Sequence, residues 1–359
     1  MAVYTIWNNK GGVGKSYLTF QIASEYAQQN PDKNVLVIDM CPQANSSSML
    51  LGGMLDGENH LQHIHSVLPR NTISGYIEAR IVSPYVNPFR GADYLTNVHQ
   101  FNNKVTDNLY LVVGDDNLEL QAPQVLGATR PGPQDAWRSV HLWLRDLIVD
   151  IENRLIDKEL TVFIDCNPSF SIYTTMSLAA SERLIIPFSA DGSSKRAVRS
   201  VLALVYGRNR NANQGVAAPN AQSEYYRNSM NYRMAIPSIY MYVGNRLTQI
   251  NNGSASAFRH VVTEITEEIW SVWQSDPSVF KTHPNGANAP TNKRSFKNMF
   301  LFEIRDANTA SVFSSATGTP MLRITAGAKK NMNGKLVTIN QSQLDMQGPN
   351  IQDLVSRIE

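Results

Sequence analysis

The run Val3-Tyr4-Thr5-Ile6-Trp7-Asn8-Asn9-Lys10-Gly11-Gly12-Val13-Gly14-Lys15-Ser16, continued through Tyr17 to Asp39, decides the fold. Its first five residues form an apolar stretch that stops at a glycine-rich turn. Leu18, Ile22, Ala23 and Tyr26 then recur at helical spacing, and 34–39 (NVLVID) is a second apolar stretch. Strand, glycine turn, helix, strand is a βαβ unit, and strands without polar alternation predict a parallel sheet covered on both faces. Working outward, 161–165 (TVFID), 183–188 (RLIIPF), 238–243 (SIYMYV) and 299–304 (MFLFEI) read as further buried strands, with helices expected over 137–156 and 257–273. The expected fold class is α/β, a mostly parallel twisted sheet flanked by helices on both faces, with loop insertions. No long linker divides the 359 residues, so 1–359 reads as a single domain with insertions at about 69–105 and 207–236.

Composition narrows the function classes. Hydrophobic residues make up 42% and charged residues 17%, a balance that suits a folded chain and not a disordered one. No run approaches the roughly 20 apolar residues of a membrane span, and MAVYTIWNNK lacks the pattern of a signal peptide. Two cysteines, Cys41 and Cys166, exclude a disulfide framework or a multi-cysteine metal site, so a reducing cytoplasm is the expected compartment. The net charge of +2 hides an asymmetry: residues 1–180 hold 12 Lys and Arg against 18 Asp and Glu, and residues 195–335 hold 18 against 7. The basic stretch includes Arg196, Arg199, Arg208, Arg210, Lys329 and Lys330, spread in the manner of phosphate-backbone contacts. His60, His63 and His65 have no acidic or thiol partner at ligand spacing and read as a solvated segment.

The chemistry begins at 10–16. Gly11, Gly12 and Gly14 let backbone N–H groups turn inward around phosphate oxygens, with Val13 between them, and the helix that follows adds partial positive charge. Lys15 is placed to reach the β- and γ-phosphates and the Ser16 hydroxyl to ligate magnesium. Asp39, at a strand end near this loop, suits a magnesium contact through water.

KGGVGKS, VIDMCPQANS and VFIDCNPS together resemble the deviant Walker-motif ATPases of the ParA/MinD superfamily, and ParA most closely. The resemblance implies ATP and Mg²⁺ as cofactors and a nucleotide-sandwich homodimer in which Lys10 crosses to the partner's phosphates. It also implies that Asp165 touches magnesium through water and that Asn245, at the end of a strand, reads the adenine edge. Tyr17 stands where relatives carry a threonine near the α-phosphate. Cys41 replaces the second aspartate of the Asp-x-Asp-Pro-Gln pattern, and a mostly protonated thiol cannot take over a carboxylate's acceptor role. Slow ATP hydrolysis is therefore expected, with Lys10, Lys15 and Asp39 as the catalytic set. By the same resemblance the dimer binds DNA non-specifically, with Arg196, Arg199, Lys329 and Lys330 as candidate contacts. A ParB-like or other activating adaptor, and a cytoplasmic, nucleoid-associated location, complete the implied picture. A MinD-like or other nucleotide-dependent switch with little hydrolysis is the alternative. The end of the chain, 351–359, has apolar spacing with one arginine against two acids and reads as a packing helix, not a membrane anchor.

Overall fold

The computed structural model describes residues 1–130, 132–189, 191–209, 215–247, 251–307, 309–332 and 335–359. Eight strands form one sheet: β1 (Ala2–Ile6), β2 (Lys33–Asp39), β3 (Thr96–Asn97), β4 (Leu109–Val112), β5 (Glu159–Asp165), β6 (Arg183–Phe188), β7 (Ser238–Leu247) and β8 (Leu301–Arg305). Their order is β3-β4-β2-β5-β1-β6-β7-β8. All pair in parallel except β3, which runs antiparallel on β4 at the edge. Two short antiparallel strands, β9 (Lys329–Met332) and β10 (Lys335–Thr338), make a separate hairpin.

The mostly parallel α/β architecture expected from the sequence is the one observed. Alternate residues of β1 explain its two-sided core. Tyr4 and Ile6 face the helix Lys15–Gln29 and the C-terminal helix Gln341–Val355, among Phe20, Ile22 and Ile351. Val3 and Trp7 point to the opposite layer, with Leu144 and Ile148 of Trp143–Arg154 and Met176 of Ile172–Ala180. Every one of these side chains is buried, each worth roughly 1.5–3 kcal/mol of transfer free energy.

The differences from the sequence reading are local. β4 lies in a stretch that had no assignment. Residues 299 and 300 close the helix Lys293–Phe300 before β8 begins, and 137–156 divides into Ala136–His141 and Trp143–Arg154. The segment 69–105 contributes the helix Ile73–Val82, whose Ile73, Tyr76 and Ile77 are fully buried, and the edge strand β3. Residues 210–214, including Arg210, lie outside the described residues; the rest of 207–236 carries an Arg208–Val216 bridge and the helix Glu224–Asn231. No helix among the described residues is long and apolar enough to cross a membrane. The last turns of the chain pack inward through Ile351, Leu354 and Val355.

Parallel pairing brings the carboxyl ends of the strands to one edge, where α/β sheets bind ligands. Register then does the fine placement: Asp39 pairs directly with Asp165, and Ile6, the last residue of β1, pairs with Asp165 from the other side.

Candidate nucleotide-binding site

The loop after β1 opens the helix Lys15–Gln29 without a side-chain cap; its N-cap, Gly14, is left-handed at φ 82°. A side chain at Gly14 would collide with the Asn245 amide, so the position needs glycine for conformation and for space. The first N–H groups of the helix thus face outward with the positive end of its dipole, an arrangement that attracts an anion. Asn8 braces the loop from below, donating to the Pro187 carbonyl at 2.7 Å and accepting from the Lys10 N–H at 3.1 Å.

The two lysines of the loop are held differently. Lys15 is 7% exposed and its Nζ donates to the carbonyls of Asn8 (3.3 Å) and Lys10 (3.0 Å), curled under the loop it serves. Burial lowers its pKa, and the nearby Asp165 carboxyl works against that shift. Lys10 reaches across to the end of β6, where its Nζ pairs with Asp191 and donates to Ser189 Oγ at 2.9 Å and Ser194 Oγ at 3.3 Å. Asp191 feels an opposing burial effect, yet its hydrogen bonds from Lys10, Ser193 and Ser189 hold its carboxyl well below the usual range.

Two buried carboxyls stand side by side under the loop. Asp39 is fully buried and both its oxygens are engaged: Oδ1 accepts from the Cys41 N–H at 3.0 Å, Oδ2 from the Ser47 N–H at 2.9 Å and Ser47 Oγ at 2.8 Å. Burial still raises its pKa despite these bonds. Asp165 is equally buried, and neither of its oxygens accepts a hydrogen bond of ordinary geometry. Burial first, and the charge of Asp39 second, push its pKa up to about 7, with Ser16 and Ser46 easing the shift. The Ser48 hydroxyl is also buried without a hydrogen-bond partner.

A cleft of about 580 Å³ opens above these groups, with Gly12, Lys15, Ser16, Cys41, Cys166 and Ser48 in its lining. Both thiols are free, and burial, then Asp39 and Asp165, push Cys41 up to about 12. A group of three or more His, Cys, Asp or Glu that could hold a metal does not occur among the described residues. A cation here would rely on a hydroxyl, one carboxylate, phosphate and water, a set that suits magnesium and not zinc. Asp165 beside the Ser16 hydroxyl fits that requirement.

The model of the AAA domain family AAA_31 matches residues 1–217. The chain belongs to this family. Its phosphate loop is of the ParA/MinD type, as the motifs lead one to expect. An uncharacterized protein of Methanocaldococcus jannaschii, MJECL24, is 27% identical over 190 residues, 52% of this chain and 58% of the relative. The chain thus spans less than two thirds of the length of that curated relative. Among solved structures, a McdA–ATP complex from Cyanothece aligns with a TM-score of 0.55 at 15% identity, covering 99% of this chain and 94% of McdA. Protein DIP2308 of Corynebacterium diphtheriae aligns at 0.57 and 16% identity, covering 88% of this chain and 96% of its own. At such identities the likeness is one of fold.

The fold places Lys10, Gly11, Gly12, Val13, Gly14, Lys15 and Ser16 after β1 and at the start of its helix, beside Asp39 and Asp165 at the ends of β2 and β5. Asn245 also arrives at the loop, where its Nδ2 donates to the Val13 carbonyl at 3.0 Å and its Oδ1 is buried without a partner. Tyr17 turns its hydroxyl to Gln347 Oε1 at 2.5 Å, anchoring the first helix to the C-terminal one. The four candidate DNA contacts do not share an element. Arg196 and Arg199 lie on the helix Ser194–Tyr206, and Arg199 is paired with Glu268; Lys329 and Lys330 lie on β9. Part of the basic stretch is matched internally, with Lys195 on Glu264, Arg208 on Asp276 and Lys293 on Glu267. His60 and His65 are hydrogen-bonded to the carbonyls of Leu51 and Gly114 from the helix Gly53–Ser66, not loose in solvent. Sequence reasoning missed Ser47, Asp191 and Ser194, because hydroxyls and a lone acid carry no motif of their own.

Proposed function

We propose that this chain is a ParA-like ATPase that forms an ATP-dependent homodimer and positions DNA or another large cargo. The observation that carries the reading is the buried Asp165 carboxyl, without a hydrogen bond of good geometry, beside the Ser16 hydroxyl and Lys15 at the glycine loop. Loop amides and Lys15 would cradle the phosphates; Ser16 and Asp165 would hold magnesium, which supplies charge neutralisation at the β- and γ-phosphates. Asp39 acts on the reaction by fixing the turn that carries Cys41, through Ser47 and the Cys41 N–H. Lys10 serves the partner subunit's nucleotide after leaving Asp191, Ser189 and Ser194. Asn245 would use its free Oδ1 to accept from an adenine amino group.

Hydrolysis is slow in this reading because a buried, protonated Cys41 cannot orient the attacking water. The ATP form binds DNA without sequence preference through Arg196, Lys329, Lys330 and, to a lesser degree, Arg199. A ParB-like adaptor stimulates turnover, and the protein works in the cytoplasm at the nucleoid. A non-hydrolysing nucleotide switch is the second reading, favoured by the same Cys41. Sedimentation and duplex-DNA binding, each with no nucleotide, ADP and ATP, separate them. Dimerisation and salt-sensitive DNA binding only with ATP support the first; a dimer indifferent to nucleotide, or no DNA binding at low salt, overturns it.

A further inference from the structure

A second cavity, of about 340 Å³, lies behind the segment that follows Asp165. Trp137, His141, Phe170 and Tyr225 line it. Trp137 and His141 stack with ring centroids 3.7 Å apart, and Phe170 meets Tyr225 edge-on at 6.1 Å. His141 brings no charge: its ring nitrogens contact the Trp137 carbonyl (2.8 Å) and Thr175 Oγ1 (3.1 Å), and burial lowers its pKa to about 4. The Ser171 hydroxyl, also in the lining, is buried and unpartnered. Among the described residues of the wall Glu224 is the one charged side chain, and it is exposed to solvent.

This cavity and the nucleotide cleft are lined by successive residues of one segment, 166–172. Cys166 and Pro168 line the cleft, whereas Phe170, Ser171 and Ile172 line the cavity. Phe170 also packs on Trp7, with centroids 5.4 Å apart, and Trp7 directly precedes the phosphate loop. An occupant that moves Phe170 therefore presses on both strands of the site, at Trp7 and at the chain leading back to Asp165.

We propose that this cavity is a second ligand site, for an aromatic ring carrying a cationic group, and that its occupation is coupled to the nucleotide cleft through 166–172. Ring walls favour offset or edge-on contact with another ring. A buried hydroxyl without a partner offers a polar contact inside, and an exposed carboxylate favours a cation over an anion at the mouth. The volume is at the lower end of small-molecule sites, enough for a two-ring compound.

Calorimetric titration of the full chain with tryptamine, and with indole-3-acetate as its charge-reversed counterpart, tests the proposal. Tryptamine should bind saturably, about three- to tenfold tighter than indole-3-acetate, and Glu224→Gln should erase that preference. Leu204→Trp, which fills the cavity from the helix Ser194–Tyr206, should abolish binding; Ser223→Trp, at the start of Glu224–Asn231, replaces it if that variant does not fold. ADP should change the tryptamine affinity, and tryptamine the ADP affinity, by the same factor. Absence of saturable tryptamine binding up to about 10 mM, equal binding of indole-3-acetate, or undiminished binding to a folded cavity-filled variant overturns the site. Equal tryptamine affinity with and without bound ADP overturns the coupling. Tryptamine binding is read without nucleotide, so a failure of ADP to bind would count against the ATPase reading and leave the site itself standing.

Discussion

Asp39 and Asp165 are direct neighbours across β2 and β5, equally buried, and of opposite character. Asp39 spends its two oxygens on the turn that follows it, accepting from Cys41 and Ser47. Asp165 accepts no hydrogen bond of good geometry, with only the Ser16 and Ser46 hydroxyls near it. A buried carboxylate with several hydrogen bonds is a structural brace, and its loss leaves N–H and O–H groups stranded. A buried carboxylate with poorly formed hydrogen bonds destabilises the empty protein, a cost that a bound cation offsets. The pair teaches that adjacency and burial do not assign a role; the fate of each oxygen does.

Adding a third carboxylate should have the largest effect. Cys41→Asp restores an acceptor at the position of the attacking water, and should raise ATP turnover by about 10²–10⁴-fold in a single-turnover assay. No gain would move the defect away from Cys41. Asp39→Ala comes next: it strands the Cys41 and Ser47 donors and should lower stability in denaturant by about 2–4 kcal/mol. A smaller and opposite effect is expected from Asp165→Asn without nucleotide above about pH 7, where the carboxyl is ionised: a gain of about 1–3 kcal/mol from removing a poorly satisfied buried charge.

The pH dependence follows the same logic. Asp165 is raised to about 7, so between its ordinary value near 4 and pH 7 the folded state keeps a proton that the unfolded chain has lost. Stability of the nucleotide-free protein should therefore fall as pH rises through that window and level off above it. Asp165→Asn should reduce the slope, leaving the part contributed by Asp39, which burial also raises. The smallest effect belongs to the half-exposed Asp191, whose pairing with Lys10 stays within one chain. Asp191→Asn should lower the ATP concentration for dimerisation by at most about tenfold, read by sedimentation.

How much of this was legible in the sequence depends on how local the cause is. The phosphate loop was readable because its conformation requires Gly12 and Gly14 at left-handed φ, and glycine spacing shows directly in the chain. β2 and β5 were readable because strands buried on both faces are apolar throughout. β3 was not, since a two-residue edge strand carries no pattern. The partner of Lys10 was hidden by 181 residues of separation, and the pairing of Arg199 with Glu268 by 69. Charge counts along 195–335 therefore overstated the free positive surface: tertiary pairing decides which cations face solvent. The difference between Asp39 and Asp165 was also out of reach, because it rests on Ser47 folding back eight residues and on Asp165 having only the Ser16 and Ser46 hydroxyls near it, neither in good hydrogen-bond geometry.

The claim that Asp165 is the carboxylate kept for magnesium is tested most directly by ADP affinity with magnesium and with chelator. Three proteins are compared: wild type, Asp165→Asn and Asp39→Asn, each at a denaturant-free condition where it is folded. The account expects magnesium to strengthen ADP binding in wild type and in Asp39→Asn, and to make no difference in Asp165→Asn, which is also the more stable protein when empty. Magnesium enhancement retained in Asp165→Asn, or lost in a folded Asp39→Asn, would contradict it.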